Sequence, residues 1–585
     1  MSFFRTHLLP FIRPWKLVTF RKLLYLPKIL APEEKRLLLF LLLITLLAGA
    51  GLSLRLYLRF TQPIPTVGGS YTEGILGEPR SLHPFYASRD AERDIVRLIY
   101  SGLFTYDSDG ILKTDLAESY EISPDGKTYA IRLKKNARWH DKTRVSADDV
   151  VFTVQAIQNP DYKSYFRANW QGVKVEKVSD DEVRFTLRAP YAPFIENLTL
   201  GIIPRHVWAA IGPEQILLHE LNLKPIGSGP YQFSDLTHNK DGSLSSYMLV
   251  RNPRYHREGP LLKKITLVFF KTEEELIAAW HRGTIEGFGP LAQSWVSALN
   301  PAAVLLSPLR MPRVFGIFFN EKKSSFLADK KIRTAIAHAI DKERIAQGPS
   351  SGGAIVTDSP LPWIRESAPG AKESAYPYDP LRAQKILEEA GWRDENGDGI
   401  REQRPGKKGA HNTKELRLTL TTSDWPYLVA TAAEIKQMLH EVAIEVTVET
   451  KPFAELEAAV IRPRNFEILL FGQVYGYEPD PFAFWHSSQS KDPGLNITFY
   501  HNKTADGLLE ETRRIQNLEE RNGKYEEFSK LVIQDLPAVF LFSQLYLYLL
   551  PGDMRGVELG KIALPSDRFN HVNQWYRKTE RVLRY

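Results

Sequence analysis

The sequence predicts an α/β protein of two or more lobes behind a single membrane-spanning helix. Three observations carry this expectation. The chain has 585 residues, and a single hydrophobic core stops growing well below that length. From about residue 70 onward, segments with the two-residue period of a strand alternate with segments of helical period. Ahead of them stands one uncharged run of 18 residues, Leu37–Leu54.

At about 1.5 Å per helical residue this run reaches roughly 27 Å, close to the hydrocarbon thickness of a bilayer. Arg36 and Arg55 border it. Residues 1–36 hold eight basic side chains against Glu33 and Glu34, a net charge of +6. The positive-inside bias therefore predicts a basic cytoplasmic tail over 1–36, a transmembrane anchor over 37–54 and an extracytoplasmic body beyond Arg55. Within the tail, Phe11–Leu30 mixes apolar side chains with Arg and Lys. That composition suits contact with an anionic inner leaflet, or topology-setting charge alone. Ala48-Gly49-Ala50 has the small-x-small spacing of a signal-peptidase site. The basic region is far longer than a signal peptide's, so a retained anchor is expected. Residues 55–66 read as a linker, its end marked by the FTQPIPTVGG run.

The tail also accounts for the pI near 9.0. The remainder holds 68 of the 76 basic and 67 of the 69 acidic side chains, so the body is close to neutral. A duplex-binding domain carries its own basic face, and no nucleic-acid partner is expected. The absence of cysteine removes disulfides, thiolate metal sites and cysteine nucleophiles together.

In the body, Tyr129, Ile131 and Leu133 alternate with polar residues, as do Val183, Phe185, Leu187 and Ile265, Leu267, Phe269. Each set predicts a half-buried strand. Ser146 followed by Asp149 marks a helix start, with Val150, Val151, Val154 and Ile157 as its apolar stripe. Asp379 and Pro380 open another helix, which Gly391 stops. Ile332, Ala335, Ile336, Ala339 and Ile340 line a third, in which His338 is expected as an ordinary surface or boundary residue. Leu416, Leu418 and Leu420, a helix over about 428–441, and Ile444, Val446 and Val448 make a βαβ unit. That implies a parallel pair with a right-handed crossover, and ligands in such sheets gather beyond the carboxyl ends of the strands.

Catalytic signatures are missing: no HExxH, GxSxG elbow, P-loop or GxGxxG after a strand occurs. Gly227-Ser228-Gly229-Pro230 reads as a tight turn. The Asp394–Gly399 loop has oxygen ligands at the first, third and fifth positions of a calcium loop and glycine at the sixth. Its twelfth position is Pro405 where a bidentate Glu is needed, so a polar surface turn is the better reading. No enzyme activity, metal or cofactor is expected.

Taken in order, several segments resemble the family 5 extracellular solute-binding proteins, the peptide and nickel binders of ABC importers. They are EPRSLHPF (78–85), VRLIYSGLFTYDSDG (96–110), LAESYEISPDGKTYAIRLKKNARWHD (116–141), SADDVVFTV (146–154), PIGSGPYQF (225–233) with LVRNPRYH (249–256), FGIFFN (315–320) with KKIRTAIAHAIDKERI (330–345), and YDPLRAQKILEEAGW (378–392). The resemblance implies a two-lobed periplasmic-binding-protein fold of the large, peptide-binder type. Lobe I would be assembled from 67–100, 223–315 and 541–585, a small domain would be inserted over 101–222, and lobe II would cover 316–540. It further implies a monomer that delivers a peptide or peptide-like solute from an interlobe cleft to ABC permease subunits. The same fold holding an oligosaccharide or metal chelate, or serving as a scaffold or signalling protein, stays open.

Family signatures such as Trp139, Asp141, Asp148 and Asp149 are expected to fix a strand–turn–helix corner. The cleft is expected around FGQVYGYEPDPF (471–482), giving Gly472, Gln473, Tyr475, Tyr477 and Glu478 as ligand contacts, with Asn320 and the rim aromatics Tyr86, Trp170 and Tyr546. Relatives that hold a free peptide amino terminus place an Asp where this chain has Tyr475. A phenol cannot neutralise an ammonium, so little preference for free over amino-blocked peptides is expected.

Overall fold

The computed structural model describes residues 30–291, 304–348, 353–361, 364, 374–403 and 413–583. Two compact units result, Met1–Thr66 with Thr579–Tyr585, and Val67–Lys578. Most of the basic tail, including all of the Phe11–Leu30 stretch but Leu30, and Pro405 of the calcium-like loop lie outside the described residues.

In the first unit the apolar run forms the middle of a longer helix. Pro32 at its first position and Glu33 and Glu34 in its first turn open Pro32–Phe60, 29 residues long. Its most apolar 18 residues have a mean hydropathy of 2.6, and no residue of it is buried. The expected linker at 55–66 is corrected. Helix continues through Phe60, and Thr61–Thr66 is a strand paired with Lys578–Leu583. The partner comes from the far end of the chain. Arg581 Nε donates to Thr61 Oγ1 at 3.0 Å and its Nη2 to Thr61 O at 3.1 Å. Pro63 and Pro65 lack N–H donors, which an edge strand tolerates.

The second unit is organised by one sheet of twelve strands. Its axis is Ala538–Pro551, AVFLFSQLYLYLLP, buried at nearly every residue. Such a continuous apolar run suits a strand covered on both faces. Its first part pairs antiparallel with Arg313–Phe319, placing Phe542 opposite Phe315. Its second part pairs with Val304–Arg310, placing Leu545 opposite Arg310. The hydrophobic core divides accordingly. The largest cluster joins Tyr71, Leu267, Tyr548 and Trp575, and two others join Ile317 with Leu420 and Phe318 with Trp485. The protein is two-lobed, and this strand belongs to both lobes.

The predicted βαβ unit is present. Arg417–Ser423 and Glu445–Lys451 pair in parallel, Leu418 against Val446 and Leu420 against Val448, with Pro426–His440 as the crossover helix. A separate antiparallel sheet over residues 117–186 carries the helix Ala147–Gln158. Its Tyr129, Ile131 and Phe185 share one core cluster with Tyr71. Asp149 ties the corner: Oδ2 accepts from Ser146 N at 2.8 Å and Oδ1 from Arg205 N at 2.8 Å. Asp141 Oδ2 lies 2.7 Å from His206 Nε2, and Asp148 pairs with Lys177 at 2.7 Å.

The Gly227–Gly229 turn has a packing cause. A Cβ at Gly227 would lie 2.0 Å from Ile99 O, and Gly229 N donates to that same carbonyl at 2.7 Å. Two backbones meet where a side chain has no room. His338 is corrected from surface to interior. It is 1% exposed, with Nδ1 2.8 Å from Pro377 O and its ring edge-on to Tyr376. The helix beginning at Pro380 swings its leading residues over that face. Asp379 N donates to His338 O, and Asp379 caps Arg382 N at 2.9 Å.

Candidate ligand cleft

The strand Ile468–Val474 runs antiparallel to Arg313–Phe319, and its carboxyl end delivers Tyr475, Gly476 and Tyr477 to a cavity of about 330 Å³. The helix Asp90–Ile99 contributes Arg93, Val96 and Arg97, and Ala563–Asp567 closes the same side. Tyr106, Trp170 and Glu196 are among the other lining residues. Both lobes and the segment containing the small sheet therefore meet at one space. Its volume falls within the range of ligand sites, and its aromatic walls with few charged groups have the usual composition of one.

Of the residues expected from sequence, Trp170, Tyr475 and Tyr477 line this cavity. Trp170 is braced edge-on by Phe194 at 5.7 Å. Tyr475 lines the cavity, but its phenol is engaged elsewhere. Its hydroxyl donates to Gln473 Oε1 at 3.0 Å and accepts from Trp485 Nε1 at 3.2 Å, inside the second lobe. Gln473 is buried and does not line the cavity. Burial also raises the Tyr475 pKa well above the usual phenol range.

Glu478 stands just behind the wall, its carboxylate paired with Arg521. Gly472 is locked in the strand, where a Cβ would come within 2.5 Å of the Phe315 ring. Tyr86 donates its hydroxyl to Tyr162 O at 2.6 Å, and its neighbours Pro84 and Ala87 face the cavity in its place. Tyr546 lies in the first lobe's core, 5.8 Å from the Arg568 guanidinium. Asn320 holds the turn after Phe319, donating to Arg464 O at 2.8 Å and accepting from Lys322 and Lys323 N at 3.2 Å each. These five are not among the cavity-lining residues.

Sequence reasoning passed over the charged groups of the cavity. Arg97 Nη2 meets Asp567 Oδ1 at 2.8 Å, and Asp567 Oδ2 accepts from Ala563 N at 3.1 Å and Leu564 N at 2.8 Å. Arg93 pairs with Asp90 at 3.6 Å. Glu196 Oε1 accepts from Tyr106 Oη at 2.9 Å and from Glu478 N at 2.6 Å. Burial pushes its pKa up to about 7, opposed by those two bonds and reinforced by the charge of Glu478. The one available signal was a lone acid in the apolar run PYAPFIENLTLGIIP, residues 190–204.

Among the described residues one acidic group has metal-ligand proximity: carboxylate oxygens of Asp394, Asp398 and Glu402 lie within 4.8 Å of one another. The loop spends these oxygens on itself, Asp394 on Gly397 N and Gly399 N, Asp398 on Ile400 N. None of the three lines the cavity.

A cavity enclosed by two lobes sharing a central strand is the arrangement of a solute-binding protein. The model for bacterial extracellular solute-binding proteins, family 5, matches residues 112–494, and the chain belongs to that family. It is 29% identical over 525 residues to the oligopeptide-binding protein AppA of Bacillus subtilis, covering 88% of this chain and 93% of that protein. The structure of that AppA with a nonapeptide superposes with a TM-score of 0.66 at 27% identity, over 88% of this chain and 99% of that one. CtaP from Listeria monocytogenes, an ABC transporter substrate-binding protein, gives 0.73 at 26% identity, over 88% and 100%. NikZ from Campylobacter jejuni with Ni(L-His) gives 0.68 at 26% identity, over 87% and 99%.

Proposed function

We propose that this chain is the membrane-anchored, extracytoplasmic substrate-binding component of an ABC importer, and that it captures a short peptide or peptide-like solute between its lobes. The observation that carries this reading is the cavity itself, whose walls come from both lobes and combine aromatic faces with charged groups. Lobe I is assigned to 67–100, 223–315 and 541–585, the inserted domain to 101–222 and lobe II to 316–540. Separate core clusters for Tyr71, Leu267 and Trp575 and for Ile317 and Leu420 support the split into two lobes, while the inserted segment shares the first lobe's cluster. A binder works by closing on its solute, and the free energy of closure comes from contacts made only in the closed state. Permease subunits are the partners this role requires, and a monomer is sufficient for it. A second reading is a small metal chelate, favoured by the cavity volume of about 330 Å³ and by the nickel–histidine complex in the NikZ structure.

Native mass spectrometry on the full chain in detergent micelles tests the reading. Co-purified peptide masses are expected. A bound metal chelate or oligosaccharide, with no peptide, sinks the peptide assignment. The anchor and orientation rest on the helix Pro32–Phe60 and the basic residues before it. Protease added to intact spheroplasts should digest the body, and a body resistant until the membrane is permeabilised would reverse the topology.

A further inference from the structure

We infer that Glu196 is the anionic anchor of the cleft, taking an ammonium group of the bound solute on its second carboxylate oxygen, Oε2. This deepens the peptide-capture reading and rests on it.

The geometry separates the two oxygens of this carboxylate. Oε1 takes both structural bonds, from Tyr106 Oη and Glu478 N. Among the described residues, no hydrogen bond reaches Oε2 and no Lys, Arg or His forms an ion pair with Glu196. Oε2 lies against a glycine, where any side chain would crowd it. A Cβ at Gly476, itself a lining residue, would lie 2.8 Å from Oε2. The carboxylate is thus held through one oxygen, with the other unbonded beside a glycine of the cavity lining, the arrangement of a preorganised ligand contact.

Charge accounting points the same way. Of the two carboxylates lining the cavity, Asp567 is committed to Arg97 and to two backbone amides. Glu196 has only neutral donors. The charged and titratable groups acting on it are Tyr106, Tyr191, Glu478 and Arg521, the last two paired with each other, while Arg93 and Arg97 of the same cavity pair with Asp90 and Asp567. A buried carboxylate with neutral partners is expensive to ionise, and a cation supplied by the ligand removes that cost. The elevated pKa of Glu196, about 7, fits a site that lacks its cation until ligand arrives. This reverses the expectation drawn from Tyr475. The charge partner lies on a different part of the chain, 282 residues before Glu478.

The test uses the full chain in detergent micelles and two probes: an equimolar tripeptide mixture built without Lys, Arg or His, and the same mixture acetylated at its amino termini. Retention is read by equilibrium dialysis. The unaltered protein should retain the free mixture at least tenfold better than the acetylated one. Glu196→Gln keeps an acceptor for Tyr106 and Glu478 N, and should lose that preference. Gly476→Ala leaves the carboxylate intact but covers Oε2, and should lose it as well, which guards against a folding defect in the first variant. Equal retention of both mixtures by the unaltered protein, or an undiminished preference in both variants, overturns the role of Glu196 and leaves peptide capture standing. Retention of neither mixture by the unaltered protein overturns peptide capture, and this inference with it.

Discussion

The ring of Tyr106 stacks on that of Tyr477, with centroids 3.8 Å apart and planes 21° from parallel. Tyr106 ends the short strand Phe104–Tyr106, whereas Tyr477 follows the second-lobe strand Ile468–Val474. The stack is therefore a clasp across the cleft, tightened by the Tyr477 hydroxyl donating to Lys561 O at 3.3 Å.

Removing the clasp should open the cleft. An aromatic pair contributes about 1 kcal/mol beyond its buried area, equivalent to roughly a fivefold change in a two-state population. Because the chain has no cysteine, Lys135→Cys and Lys491→Cys can carry spin labels without background. Tyr477→Ser should lengthen the distance distribution between those labels in the ligand-free protein. An unchanged distribution would mean that other contacts hold the lobes together.

The Glu196 carboxyl makes a signed prediction about pH. Its folded pKa, about 7, lies above the ordinary value of 4.5. Between these limits the folded protein retains a proton that the unfolded chain releases, so stability falls as pH rises through this window and levels off above it. Glu196→Gln lacks the group. Its unfolding free energy, from urea titration, should gain on that of the unaltered protein between pH 5 and pH 8, by up to about 3 kcal/mol. A difference independent of pH would show that the carboxyl titrates normally.

Beneath the cavity, Arg568 is 2.6 Å from both Glu73 Oε1 and Asp94 Oδ2, and all three side chains are almost wholly buried. Tyr548 donates to Glu73 at 2.7 Å. Removing one member of such a group strands the others, at a cost of about 3–5 kcal/mol. Arg568→Met should lower the urea midpoint accordingly. Adding Glu73→Gln and Asp94→Asn should recover part of the loss, because neutral groups no longer demand a cation. Failure of the triple variant to recover would locate the damage in packing instead of charge.

What the sequence made legible follows from the physics of each feature. The long apolar helix and the βαβ unit are written along the chain, one in uninterrupted apolarity, the other in two periodicities, and both are found. Trp170, Tyr475 and Tyr477 were placed at the cleft because they lie in segments whose order is recognisable. The direction of the Tyr475 phenol was not legible, since Gln473 and Trp485 decide it by offering hydrogen bonds inside the lobe. Glu196 was missed for a related reason: its setting is created by Tyr106 and Glu478, which only folding brings together. Tyr86, Tyr546 and Asn320 carried aromatic or polar character without any indication that local carbonyls and core packing absorb it.

The pairing of Arg568 with Glu73 spans 495 residues. During synthesis Glu73 emerges long before its cation, and the strand that carries it, Ser70–Leu76, pairs with Gly287–Phe288 and Lys264–Phe270 while the Ala538–Pro551 strand is still unmade. The first lobe is therefore unable to mature behind the ribosome. Its nascent sheet has an open edge and a buried-to-be carboxylate with no counter-charge, the condition in which long-range topologies fold slowly and expose surface. The part synthesised first therefore stays pliable until the Ala538–Pro551 strand and Arg568 arrive.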